Sequence, residues 1–110
     1  MAANKWILKQ GDTYPPLVVA LRYDDDTPID LTGSTVRFMM IAASGSVVAN
    51  RTITVSNASA GEVTIDWQAQ DTAEAGFYTA EFEITTSAGK KQRVPGDGYI
   101  TVEILPRLVE

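Results

Sequence analysis

The stretch Asp71-Thr72-Ala73-Glu74-Ala75-Gly76-Phe77-Tyr78-Thr79-Ala80 decides how the chain is read. It has the layout of a tyrosine corner, in which a tyrosine early in a strand hydrogen-bonds back to the loop just before it, and that points to an immunoglobulin-like β-sandwich. Ala80 stands two residues after Tyr78, where an antibody domain has its second cysteine, so packing must replace the disulfide. Trp67 is the natural filler. Tyr78 falls on the inward-facing set of its strand and is read as structural rather than as a ligand-binding aromatic.

Outward from this corner, short segments rich in Val, Ile, Thr and aromatics alternate with clusters of Gly, Asn, Asp, Ser and Pro, the rhythm of an all-β antiparallel sandwich of about seven to eight strands. Strands are expected near 5–9, 16–23, 34–42, 46–55, 62–68, 76–86, 90–94 and 98–105. The best helical candidate, Gln68 to Ala75, is short and its only large residues are polar. Alternation sends Leu17, Val19, Leu21, Val36, Phe38, Met40, Val63, Ile65, Trp67, Tyr78, Ala80, Phe82, Ile84, Ile100, Val102 and Ile104 inward. Arg37, Thr64, Asp66, Thr79, Glu81, Glu83, Thr101 and Glu103 lie between them and form the wet face. Pro15 and Pro16 belong at a strand start or edge.

At 110 residues, with 45% hydrophobic and 21% charged residues, the chain reads as one domain over 1–110 with enough core to fold without staples. The net charge of −5 argues against nucleic acid and anionic lipid as partners. Cysteine and histidine are both absent, which removes disulfides, thiolate nucleophiles and the usual general base near neutral pH. The apolar patch Trp6-Ile7-Leu8 is too short for an export signal, and no membrane span is present.

The remaining chemistry-bearing groups have plain structural explanations. Asp24-Asp25-Asp26 with Asp30 could offer oxygens to calcium, but the spacing is unlike a calcium loop and Asp-Thr-Pro is turn chemistry. Glu81 and Glu83 have the spacing of a glycosidase pair, yet a solvated sheet face explains them better. The serines lack a base, Gly96-Asp97-Gly98 is expected to be a hairpin turn rather than a phosphate loop, and Asn50-Arg51-Thr52 and Asn57-Ala58-Ser59 are read as chance glycosylation patterns. No enzyme activity, catalytic residue, metal or cofactor is expected.

Several stretches together resemble the N-terminal immunoglobulin-like domain of the phage baseplate upper protein family: Gln10 to Leu17, Asp30 to Phe38, Asp66-Trp67, Asp71 to Phe82 and Gly98 to Ile104. The resemblance implies a non-enzymatic structural component of a tailed phage or prophage, carried in the virion and assembled in the bacterial host cytoplasm. It implies other phage tail or baseplate proteins as partners, or a homo-oligomer. After Ile104 there is no helical or receptor-binding region of the kind longer members carry, so a free-standing subunit, a decoration module and a fragment all stay open. The alternative function is a carbohydrate-binding or adhesin-like module for a bacterial surface, with Trp6, Tyr14, Tyr23, Phe77 and Tyr99 as scattered candidate aromatics.

Trp6, Ile7 and Leu8 are the candidate interaction residues. Three consecutive apolar positions in a strand cover both faces, and an outer strand needs only one, so the surplus face is read as an assembly contact with Lys5 and Lys9 as its charged rim. The competing reading tucks this arm between the sheets.

Overall fold

Period-two alternation forms eight strands: β1 (Lys5–Lys9), β2 (Leu17–Ala20), β3 (Thr35–Ala42), β4 (Val47–Asn57), β5 (Glu62–Ile65), β6 (Gly76–Thr85), β7 (Lys91–Val94) and β8 (Ile100–Leu105). These come from a computed structural model, which describes residues 5–109. The helical candidate is a single 3-10 turn, Ala69–Thr72.

The strands follow one another in a curled sheet in the order β1-β8-β6-β3-β4-β5-β2, with β7 also on β6. The curl makes two layers, because β4 is shared. Its first part faces β3, from Val47 opposite Ile41 to Ile53 opposite Val36, and its last part, Thr54 to Asn57, faces β5. The larger layer is therefore β1-β8-β6-β3-β4 and the smaller is β4-β5-β2.

Two connections differ from a simple antiparallel sandwich. β1 lies parallel to β8, with Lys5 opposite Thr101 through Lys9 opposite Leu105. Gly96-Asp97-Gly98 is not a hairpin turn. β7 and β8 both run antiparallel to β6 along the same edge, β7 against Phe82–Thr85 and β8 against Gly76–Ala80. Residues 95–99 thus interrupt one long edge opposite Glu81, and the true hairpin lies at 86–90, where Thr86 N–H donates to the Lys90 carbonyl at 2.8 Å.

Every expected core residue is buried except Leu17 and Val19, which pack partly buried against the core. Ile29, Leu31, Ala49 and Val94 join them. Ile29 and Leu31 lie outside the named strands but are pinned by backbone bonds, Ile29 N–H to the Leu21 carbonyl at 3.0 Å and Leu31 N–H to the Ala58 carbonyl at 2.9 Å. This crossing is close enough that a Cβ on Gly61, whose φ is +72°, would sit 2.6 Å from the Leu21 carbonyl oxygen.

Four aromatic rings replace the missing disulfide. Phe38 lies 5.9 Å from Trp67 and 5.6 Å from Phe82, and Trp6 stacks 6.2 Å from Phe38, within the range where aromatic pairs attract beyond simple burial. The tyrosine corner is present: Tyr78 O–H donates to the Glu74 carbonyl at 2.6 Å.

Candidate functional site

The outward face of β3 changes character along its length. Thr35 and Arg37 come first, then Met39 and Ile41. Met39 lies between Glu81 of β6 and Asn50 of β4, and Ile41 lies between Thr79 and Val47. Tyr99, at the end of the interruption between β7 and β8, closes the row. The result is an apolar groove of about 470 Å³ lined chiefly by Met39, Ile41, Val47, Thr79 and Tyr99.

A shallower depression at Phe77, Thr79 and Thr101 continues the groove toward β8, and Glu103 carries the row from Phe77 to Ile7. Along this band Val47 is 66% exposed, Tyr99 62%, Phe77 59%, Ile7 59% and Ile41 39%. Met39, Ile41, Val47 and Tyr99 share one groove, the Glu103–Lys5 pair separates Ile7 from Phe77, and an exposed apolar groove of this kind is a candidate interaction site.

The charged half of the same face is paired off. Arg93 bonds Glu83 at 2.7 Å and reaches Glu81 at 3.6 Å, Lys91 lies 3.5 Å from Glu83, and Lys5 lies 3.5 Å from Glu103. Arg37 donates to Asn50 Oδ1 at 2.7 Å. The hydrogen bond from Arg93 holds the Glu83 carboxyl below the ordinary glutamate range. A glycosidase acid needs the opposite displacement, so Glu83 is poorly placed to serve as one.

The aspartates serve turns. Asp25 Oδ1 accepts from Thr27 N–H at 3.1 Å and from Thr27 O–H at 2.6 Å, and Asp30 does the same for Thr32 at 3.0 and 2.6 Å. These bonds lower both carboxyl pKa values, the side-chain hydroxyl being the larger cause in each. Among the described residues no group of three or more Asp or Glu is arranged to hold a metal ion.

The structure divides the three candidate interaction residues. Trp6 and Leu8 pack against the core, and Ile7 faces outward onto the apolar band. Trp6, also weighed as an exposed sugar-stacking aromatic, is instead half-buried among Phe38, Trp67 and Phe82. The free edge of β1 is blunted at one end, where Asp12 Oδ2 accepts the Lys9 N–H at 3.2 Å.

A clamp absent from the sequence reading secures this arm. Asp71, fully buried, takes two bonds from Arg51 at 3.0 and 2.8 Å and one from the Gln68 N–H at 2.7 Å. The turn it fixes then grips the exit of β1: Thr72 O–H donates to the Asp12 carbonyl at 2.8 Å, and Gly11 N–H donates to the Thr72 carbonyl at 2.9 Å. Bidentate Arg-carboxylate geometry suits a half-buried site.

The family model for the BppU N-terminal domain matches residues 6–104. No curated protein matches the chain. Among solved structures, CopC from Methylosinus trichosporium OB3b is similar, with a TM-score of 0.59 over 98% of this chain and 90% of that one at 13% identity. At that identity the likeness is one of fold alone.

Proposed function

The chain belongs to the BppU N-terminal domain family, that of the phage baseplate upper protein, and from that premise we propose that it is a virion structural component acting through protein-protein contacts. Assembly into the particle takes place in the bacterial host cytoplasm, and no reaction is catalysed. The observation that carries this reading is the apolar band on the outer face of the larger layer, with Val47 and Tyr99 more than half exposed. Its neighbours in the particle are tail or baseplate proteins, and Ile7 is the residue of the β1 arm that meets them.

The adhesin alternative has less support. The groove has one aromatic wall, Tyr99, and two of its acceptors are already engaged, Asn50 Oδ1 by Arg37 and Glu81 by Arg93. Sugar recognition needs free donors and acceptors beside its stacking ring. Purified particles of the encoding phage or induced prophage provide the test. Mass spectrometry should find the chain in them, and immunogold labelling should place it at the tail tip. Its absence from purified particles would sink the structural reading, and a glycan-array signal would favour the alternative.

A further inference from the structure

We infer that the link between Asp97 and Gly98 is a self-modification site, which converts in the folded protein to an isoaspartyl link and so reshapes the Tyr99 wall of the groove. The inference goes beyond the structural reading and does not depend on it.

The sequence supplies the reactive pair. An aspartate side chain is open to attack by the backbone nitrogen of the next residue, and any side chain on that residue stands in the way. Asp97 is the only aspartate followed by glycine, and no asparagine is. The reaction needs water alone. The Gly98 nitrogen bonds to the side-chain carboxyl carbon of Asp97, and the carboxyl hydroxyl leaves with the amide proton as water, closing a succinimide ring. Water then reopens the ring. Cleavage at the side-chain carbonyl restores aspartate, whereas cleavage at the backbone carbonyl leaves the chain running through the Asp97 β-carbon with the former backbone carboxyl pendant. Mass, charge and oxidation state are unchanged.

The fold leaves both groups unhindered. Residues 96–99 are exposed, and among the described residues neither the Asp97 carboxylate nor the Gly98 N–H has a hydrogen-bond partner. Gly98 has a φ of +85°, and nothing lies within 4 Å of where its Cβ would be, so the ring has room to close. Other aspartates are tied down. The carboxylates of Asp12, Asp25 and Asp30 accept bonds from Lys9, Thr27 and Thr32, Asp71 is buried against Arg51, and the N–H after Asp30 is bonded to the Ala58 carbonyl. Ring closure requires local backbone rotation, which such bonds oppose.

The flanks then direct the effect. Val94 and Ile100 are buried and paired with β6, Val94 opposite Phe82 and Ile100 opposite Ala80. The extra backbone atom of an isoaspartyl link must be absorbed between them, where Tyr99 is exposed and walls the groove. One aged link therefore alters the groove while the strands on either side stay paired.

The test is to age the full chain at mildly acidic pH, folded and, in parallel, unfolded in guanidinium chloride. The tryptic peptide 94–107, whose only aspartate is Asp97, is then read by electron-transfer fragmentation, which separates isoaspartate from aspartate. Isoaspartate should appear in this peptide before any other, at a rate within about tenfold of that in the unfolded chain, so that folding adds less than about 1.4 kcal/mol to the barrier. Asp97→Glu, which needs a larger ring, should melt with the wild type and leave the peptide unmodified. In the isomerised protein the Met39 methyl NMR signal should move, and that of Met40, in the core, should stay. A folded chain that forms no isoaspartate at Asp97, forms it more slowly than that limit, or forms it equally at other aspartates would overturn the site. An unmoved Met39 signal in isomerised protein would overturn its effect on the groove.

Discussion

Phe38 and Met40 leave β3 toward the core, and Met39 and Ile41 leave it toward water. The two sets are similar in apolarity and alternate along a single strand, yet they meet different surroundings. Inside, the rings of Trp6, Trp67 and Phe82 enclose Phe38 on several sides. Outside, Met39 and Ile41 floor an open groove. Apolarity on the inner face is already spent on folding, and on the outer face it is still available for binding.

The strongest way to break the comparison is to remove the inner filler. Trp67→Ala should cost about 3–5 kcal/mol by leaving a cavity among the rings, read as a large fall in the midpoint of chemical denaturation. An unchanged midpoint would mean the inner cluster contributes no more than the outer face. Arg51→Met should cost about 2–3 kcal/mol, because it strands the buried Asp71 carboxylate, with some relief from the partial exposure of Arg51. Hydrogen exchange should then quicken at Gly11, whose N–H depends on the clamped turn. Tyr78→Phe removes one hydrogen bond and should cost about 1 kcal/mol in the same denaturation assay.

Effects on the outer face should be smaller. The Glu83 carboxyl is lowered in the folded state by Arg93, so its contribution to stability is present above the ordinary glutamate range and fades as pH falls through its lower folded value. Carbon-detected NMR should show Glu83 titrating at lower pH than a free glutamate, and Arg93→Ala should raise it back. Val47→Ser should change stability by no more than about 0.5 kcal/mol; a drop like that of Trp67→Ala would erase the distinction between the faces.

The strands were legible because alternation is local. All eight were placed, and Val36, Phe38 and Met40 were separated from Arg37 by position alone. Met39 and Ile41 escaped notice because Phe38-Met39-Met40-Ile41 reads as one apolar run, and nothing local says that half of it faces a groove. Ile29 and Leu31 were missed since they are buried by crossing backbone rather than by strand period. The Arg51–Asp71 clamp joins residues 20 positions apart, and no spacing rule links them. Gly96-Asp97-Gly98 has the composition of a hairpin turn, but composition does not record that the chain continues along the same edge.

The parallel pairing of β1 and β8 bears on how the chain carries force. Tension applied between Lys5 and Leu105 pulls the two strands past each other along their length, because those residues lie at opposite ends of the paired stretch. The load then falls on all the interstrand bonds together, whereas an antiparallel terminal pair would be peeled one rung at a time. Rupture under load follows the unfolding rate rather than equilibrium stability, so single-molecule extension between those residues should give a higher breaking force than extension between Thr85 and Lys91, which face each other across a hairpin. Equal forces would mean that the terminal pair bears no special load. For a member of a baseplate protein family, this orientation makes Lys5 and Leu105 suitable points at which load can enter and leave the fold.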